Sequence, residues 1–200
     1  MNSESPETVD AFNSSPDPSS TVPGAGLRIS SDDFTLFGLQ SVFELDRAAL
    51  DTQWRRLQAA THPDKFASEG VSAQRIAMQW AVRVNQAYQR LRDPLQRAAY
   101  LCAQRGVPVN AERNTAMPTA FLMQQMAWRE ALEEADSVAE VERLDTDVQH
   151  QQRLLLAEVA YLLDDQEDTA AAAAQVRALM FLAKFRQDID RRLDTLDPTR

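Results

Sequence analysis

Cysteine, histidine and glycine are nearly missing from this chain. One cysteine, Cys102, in 200 residues excludes an intramolecular disulfide. Two histidines, His62 and His150, cannot complete an ordinary structural zinc site with that single cysteine, so no metal is expected. The five glycines never fall in the spacing of a phosphate-cradling loop, which removes the common nucleotide-binding classes. No apolar run reaches the roughly 18 residues that span a bilayer. The acidic N-terminus has neither the basic-then-apolar order of a secretory signal nor the character of an organelle transit peptide. A membrane partner is therefore not expected, and the chain reads as cytoplasmic. The net charge of −9 argues equally against nucleic acid as a partner.

What is abundant is helix-forming: Ala, Leu, Gln, Arg and Glu dominate, and 44% of the residues are hydrophobic, enough for a core. Charge divides the chain. Residues 32–105 hold ten Lys/Arg against eight Asp/Glu, whereas residues 106–200 hold ten against eighteen. A slightly basic module followed by an acidic one suggests two separate jobs. Residues 1–31 are rich in Ser, Pro, Thr and acids, a composition that cannot offset chain entropy, and read as a disordered tail.

The first module is organised around Thr61-His62-Pro63-Asp64-Lys65-Phe66. Leu50, Trp54 and Leu57 before it, and Ile76, Trp80, Val84, Ala87, Tyr88 and Leu91 after it, each mark one helix face. Pro63 lacks an N–H and disfavours helix at His62, so the two helices fold back as an antiparallel hairpin with the triplet exposed at its tip. A short helix capped by Ser31-Asp32-Asp33 and ending near Gly38 precedes them. Asp46 caps the second helix, Ser72 can cap the third, and Pro94 opens a fourth running through Leu101. Gly106 through Met117 reads as a linker. Residues 118–196 then read as a three-helix bundle: one helix from Pro118 to about Ala135, one from Val138 to Asp165, and one capped by Thr169 and running to the end. The fold class is all-α. Cys102, flanked by Tyr100, Leu101 and Ala103, is most simply a small buried apolar residue.

Chemistry at the triplet finds little support. His62 and Asp64 stand two apart in a turn, an arrangement that rarely presents one side chain to the other, and no nucleophile or metal set lies nearby. The chain is not expected to be an enzyme, and no cofactor is called for.

His62-Pro63-Asp64-Lys65-Phe66 between paired helices resembles the J-domain of DnaJ-type co-chaperones. Phe34 through Leu39, His62 through Ser68, Asn85 through Tyr88, Leu91 through Ala98 and Ala120 through Met123 together resemble one branch, the HscB-type co-chaperones of iron–sulfur cluster assembly. The likeness covers about residues 32–196. It implies a J-domain over 32–105, a linker over 106–117 and a scaffold-binding bundle over 118–196. It also implies that His62, Pro63, Asp64 and Lys65, with Arg55 and Arg56 of the second helix, dock on the DnaK-type chaperone HscA and stimulate its ATP hydrolysis. The bundle would bind the iron–sulfur scaffold IscU through Leu122, Met123, Met126, Glu130, Glu134 and Phe181. Periodicity alone also allows Leu122 and Met126 to be bundle core. Gln124 and Ala127 stand where the family often carries Glu, and Thr61 where a Tyr usually precedes the triplet. The absence of an N-terminal cysteine pair fits a bacterial member. A general J-protein with other clients is the alternative reading.

Overall fold

A computed structural model describes residues 27–109 and 117–197. Seven α-helices lie among them: α1 (Asp33–Phe37), α2 (Arg47–Ala60), α3 (Val71–Arg92), α4 (Pro94–Gln104), α5 (Thr119–Glu134), α6 (Val138–Ala160) and α7 (Thr169–Leu196). A 3₁₀ helix, Pro63–Glu69, joins α2 to α3, and a π-helical turn, Tyr161–Asp165, ends α6. The all-α architecture expected from composition is what forms, with no strand among the described residues.

Local chemistry explains most boundaries. Asp32 accepts from the N–H groups of Phe34 and Thr35, both at 3.0 Å, and starts α1. Gly38 stops it at φ +64, a left-handed conformation that carries no Cβ penalty in glycine. Asp46 and Asp93 cap α2 and α4 in the same way. Three caps differ from expectation. Gly70 at φ +93, not Ser72, precedes α3, so the turn is made by backbone freedom without a side-chain cap. Asp168, not Thr169, caps α7 by accepting from Ala171 N–H at 2.9 Å. Pro118 is the cap residue of α5 rather than its first member. Ser137 and Glu140 close a capping box at the start of α6. That helix was expected to reach Asp165 as one piece. Instead Gln166 N–H bonds back to Tyr161 C=O at 3.0 Å, widening the last turn to π.

Trp54 stacks on Tyr88 at 4.4 Å and holds α2 against α3. The buried carboxylate of Asp33 pins α1, with Arg83 Nη2 at 2.7 Å and Arg90 Nη1 at 2.6 Å. Breaking such a pair would leave a buried charge uncompensated.

Two expected boundaries fail at their edges. The tail assigned to residues 1–31 lies outside the described residues up to 26, but its last part is held in place. Arg83 donates to Ile29 C=O at 3.1 Å and Ser31 C=O at 2.7 Å, and Leu27 and Ile29 pack on the core. The linker assigned to 106–117 lies outside the described residues over 110–116. At its near end Val107 N–H bonds Cys102 C=O at 2.9 Å and Val109 is buried; at its far end Met117 packs on the core. Isolated apolar residues in polar surroundings were enough to anchor both ends.

The two halves share one core. α4 packs on α7, burying Ala98, Leu101 and Cys102, and burial pushes the Cys102 thiol pKa up. Asp164, presented by the π turn, accepts from Phe43 N–H at 2.7 Å and Glu44 N–H at 2.8 Å. From the other side Arg97 donates to Phe43 C=O at 2.8 Å and lies over its ring at 5.0 Å. Arg105 adds a bond to Leu163 C=O at 2.6 Å. Asp164→Ala is expected to lower stability by about 2 kcal/mol in urea unfolding, given carboxylate hydrogen bonds of about 1.5–3 kcal/mol. Asp164→Asn, which keeps one acceptor, should lose less. A loss below about 0.5 kcal/mol for the alanine variant, the level of an ordinary surface change, would show that the clamp holds nothing.

Candidate functional site

Two exposed features stand out, one in each half. At the hairpin tip, His62 caps the 3₁₀ helix and its Nδ1 accepts from Asp64 N–H at 3.3 Å. Lys65 N–H closes the turn on His62 C=O at 3.1 Å. His62 Nδ1 also lies 3.6 Å from Asp64 Oδ2, so the two side chains do face one another, contrary to the sequence expectation. The tight 3₁₀ turn, with Pro63 at its first position, brings residue i+2 back over the cap. The Asp64 side chain is nonetheless 90% exposed and the His62 side chain 59%. Nothing excludes water from the pair or stands ready to be activated by it.

Behind the tip, α2 turns Leu50 and Leu57 inward and leaves Arg55 and Arg56 on the surface. The carboxylate of Asp51 on the same helix is already engaged: Arg47 Nε donates to it at 2.8 Å and Tyr88 Oη at 2.9 Å. The Arg47 bond, helped by Tyr88, holds the Asp51 carboxyl pKa below its usual value. Arg55, Arg56 and Lys65 make no ion pair among the described residues, so this face presents its positive charge outward. At the end of α2, Thr61 is buried and its hydroxyl bonds Leu57 C=O at 2.9 Å, closing the helix where a larger aromatic was the family expectation.

The second feature is the outer face of α5. Leu122, Met123 and Met126 are 42%, 67% and 71% exposed, and Glu130 and Glu134 continue the stripe in the open. They can stay outside because the inner face is filled by other residues: Phe121, Trp128, Leu132 and Ala135 face the bundle. Trp128 is the residue that sequence reasoning missed. Its spacing from Phe121, i+7, with Leu132 and Ala135 at i+11 and i+14, was the available signal. Phe181 is half-buried rather than open. Its ring meets Phe121 edge-on at 5.9 Å, stacks on Phe185 at 6.0 Å, and carries the Arg129 guanidinium at 5.6 Å. Phe121, Trp128, Phe181 and Phe185 thus form one aromatic seam between α5 and α7.

Among the described residues, no group of three His, Cys, Asp or Glu side chains converges on a metal position. None of the described helices is long and apolar enough to cross a membrane.

Residues 117–190, the bundle, match the family model of the HSCB C-terminal oligomerisation domain. Over 161 residues the chain is 47% identical to the co-chaperone protein HscB homolog of Bordetella petrii, which covers 80% of this chain and 95% of that protein. This chain belongs to the HscB family. Its fold agrees with solved members: the chaperone HscB from Vibrio cholerae matches with a TM-score of 0.72 at 40% identity, over 83% of this chain and 99% of that one. Human co-chaperone HscB matches with a TM-score of 0.77 at 25% identity, over 82% of each chain. Membership makes the chain a J-protein co-chaperone of iron–sulfur cluster assembly, the class its helical hairpin and bundle resemble.

The division of α5 into an inner and an outer face can be measured. Trp128→Ala is expected to cost about 3–5 kcal/mol of stability, as buried aromatics do. Met126→Ser should stay within about 0.5 kcal/mol of the parent in the same denaturation assay. The opposite ranking would mean that the methionine face is core.

Proposed function

We propose that the chain is a non-catalytic bacterial co-chaperone, working in the cytoplasm, that brings the scaffold IscU to the DnaK-type chaperone HscA and triggers ATP hydrolysis there. The observation that carries this reading is the pairing of two exposed surfaces on one packed body: a tip with an exposed carboxylate and cations outside any ion pair among the described residues, and an apolar stripe with an acidic end.

At the tip, Asp64 offers its carboxylate to a cationic group of the chaperone, a charge-assisted bond that a planar arginine satisfies bidentately. Pro63 and the cap made by His62 hold the turn so that little ordering is left to be done on contact. Arg55 and Arg56 on α2 and Lys65 beside Asp64 in the chain are exposed cations, and such charge raises the rate of encounter with an acidic chaperone surface more than it raises final affinity. The ATP chemistry belongs to the chaperone.

On α5, Leu122, Met123 and Met126 give an adaptable apolar centre, and Glu130 and Glu134 favour a partner whose rim is basic. Phe181, half-buried, supports this surface through its ring contact with Phe121, under the Arg129 guanidinium. The acidic contacts missing at Gln124 and Ala127 leave the apolar centre as the main source of affinity.

Chaperone ATPase turnover, with and without scaffold, separates the roles. His62→Gln and Asp64→Asn are expected to abolish stimulation while scaffold binding stays at the parent level. Serine at Leu122, Met123 and Met126 together should weaken scaffold binding by at least about 30-fold, the loss typical of a central hot spot of about 2 kcal/mol or more. That triple variant should keep the stimulation seen without scaffold. Undiminished stimulation by Asp64→Asn would sink the tip mechanism, and undiminished scaffold binding by the triple variant would misplace the client surface.

A further inference from the structure

A third exposed surface lies on α3, away from the residues used above. Its buried face is Ala77, Trp80, Val84, Ala87, Tyr88 and Leu91. On another face Val71, Met78 and Val82 are 83%, 59% and 51% exposed, and with Arg75 they fall at i, i+4, i+7 and i+11, one continuous stripe. A shallow groove of about 460 Å³ runs along it, lined chiefly by Ile29, Arg75, Met78, Val82 and Arg83. Its lining is mostly apolar with a basic margin. Arg83 is engaged with Asp33 and with the Ile29 and Ser31 carbonyls, whereas Arg75 makes no ion pair among the described residues.

The occupant that fits is already attached. Arg83 straps residues 29–31 along α3, and Ile29 forms part of the groove wall, so the chain before Leu27 begins at the groove's edge. That preceding stretch carries Glu4, Glu7, Asp10 and Asp17, no Lys or Arg, and an apolar pair at Val9 and Phe12. Phe12 is separated from Leu27 by a tether whose typical span is about 20 Å, enough to double back over Met78 and Val82. A tether of this kind supplies an effective concentration on the order of millimolar, so even a weak contact is populated. A second copy of the chain would have to bind this groove at far lower concentration. The groove's seven lining residues are also well short of the roughly 20–30 per side in a stable interface. We propose that the acidic N-terminal segment of this chain docks on α3, with Val9 and Phe12 on Met78 and Val82 and an acidic neighbour facing Arg75. This does not depend on the identity of the chaperone or the scaffold.

The test is paramagnetic broadening of methionine methyl resonances in the full chain carrying a spin label at Ser14→Cys. The native Cys102 is buried and stays unlabelled. Loss of the Met78 methyl signal is expected while Met123 and Met126 on the bundle keep theirs. Phe12→Ser should restore the Met78 signal, and so should Arg75→Glu. In a mixture of spin-labelled chain with separate methyl-labelled chain, Met78 should be unaffected. Broadening in that mixture would assign the groove to a second copy. Broadening no stronger at Met78 than at Met123, or unchanged in both variants, would overturn the proposal.

Discussion

The loop before α2 is locked onto the second half of the molecule by one grip, on Phe43 and Glu44. Their two amide N–H groups point at one carboxylate, Asp164, while Arg97 holds the Phe43 carbonyl from the opposite side. The three residues come from different parts of the chain: Phe43 from the loop before α2, Arg97 from α4, and Asp164 from the turn that ends α6. The buried Phe43 must have its backbone groups satisfied by something, and here the partners are supplied across the joint between the two halves. The π turn matters for this reason. One extra residue in the last turn of α6 puts Asp164 and the Leu163 carbonyl where Phe43 and Arg105 can reach them.

With the joint closed, the charge asymmetry of the chain becomes spatial. The cations that survive unpaired near the tip are those that Asp51 and Asp33 do not neutralise, because Arg47, Arg83 and Arg90 already occupy those carboxylates. The acids of α5 stay open because the helix meets its neighbours through aromatic rings rather than ion pairs. Internal pairing removes charge where it would be buried and leaves it where it faces water. An unpaired charge under the surface would cost several kcal/mol, whereas one in solvent costs almost nothing.

Much of this was legible in the residues. Pro63, Gly38, Asp46 and Asp93 mark helix ends for local reasons, and those ends fall within a residue or so of expectation. The stripes of α3 and α7 were equally plain, since each has a long run of apolar residues at helical spacing. α5 was not. It carries apolar residues on both faces, so the spacing of Phe121, Trp128, Leu132 and Ala135 competes with that of Leu122 and Met126, and the rings of Phe181 and Phe185 on α7 decide which points inward. Phe181 likewise turned from an open contact into a half-buried support.

The sequence by itself determined the helices, the breaks between them and the hairpin tip, because capping, proline geometry and apolar spacing act within a few residues. It also carried the resemblance to the family, through short motifs spread over residues 34–123. Only the tertiary structure decided that the two halves form one body, that Leu27 and Ile29 pack on the core and Val109 belongs to it, and which face of α5 is left exposed. Those outcomes depend on contacts between residues up to 121 positions apart, as from Phe43 to Asp164. Nothing in the local spacing of either residue signals the other, so the contact exists only once the helices have packed.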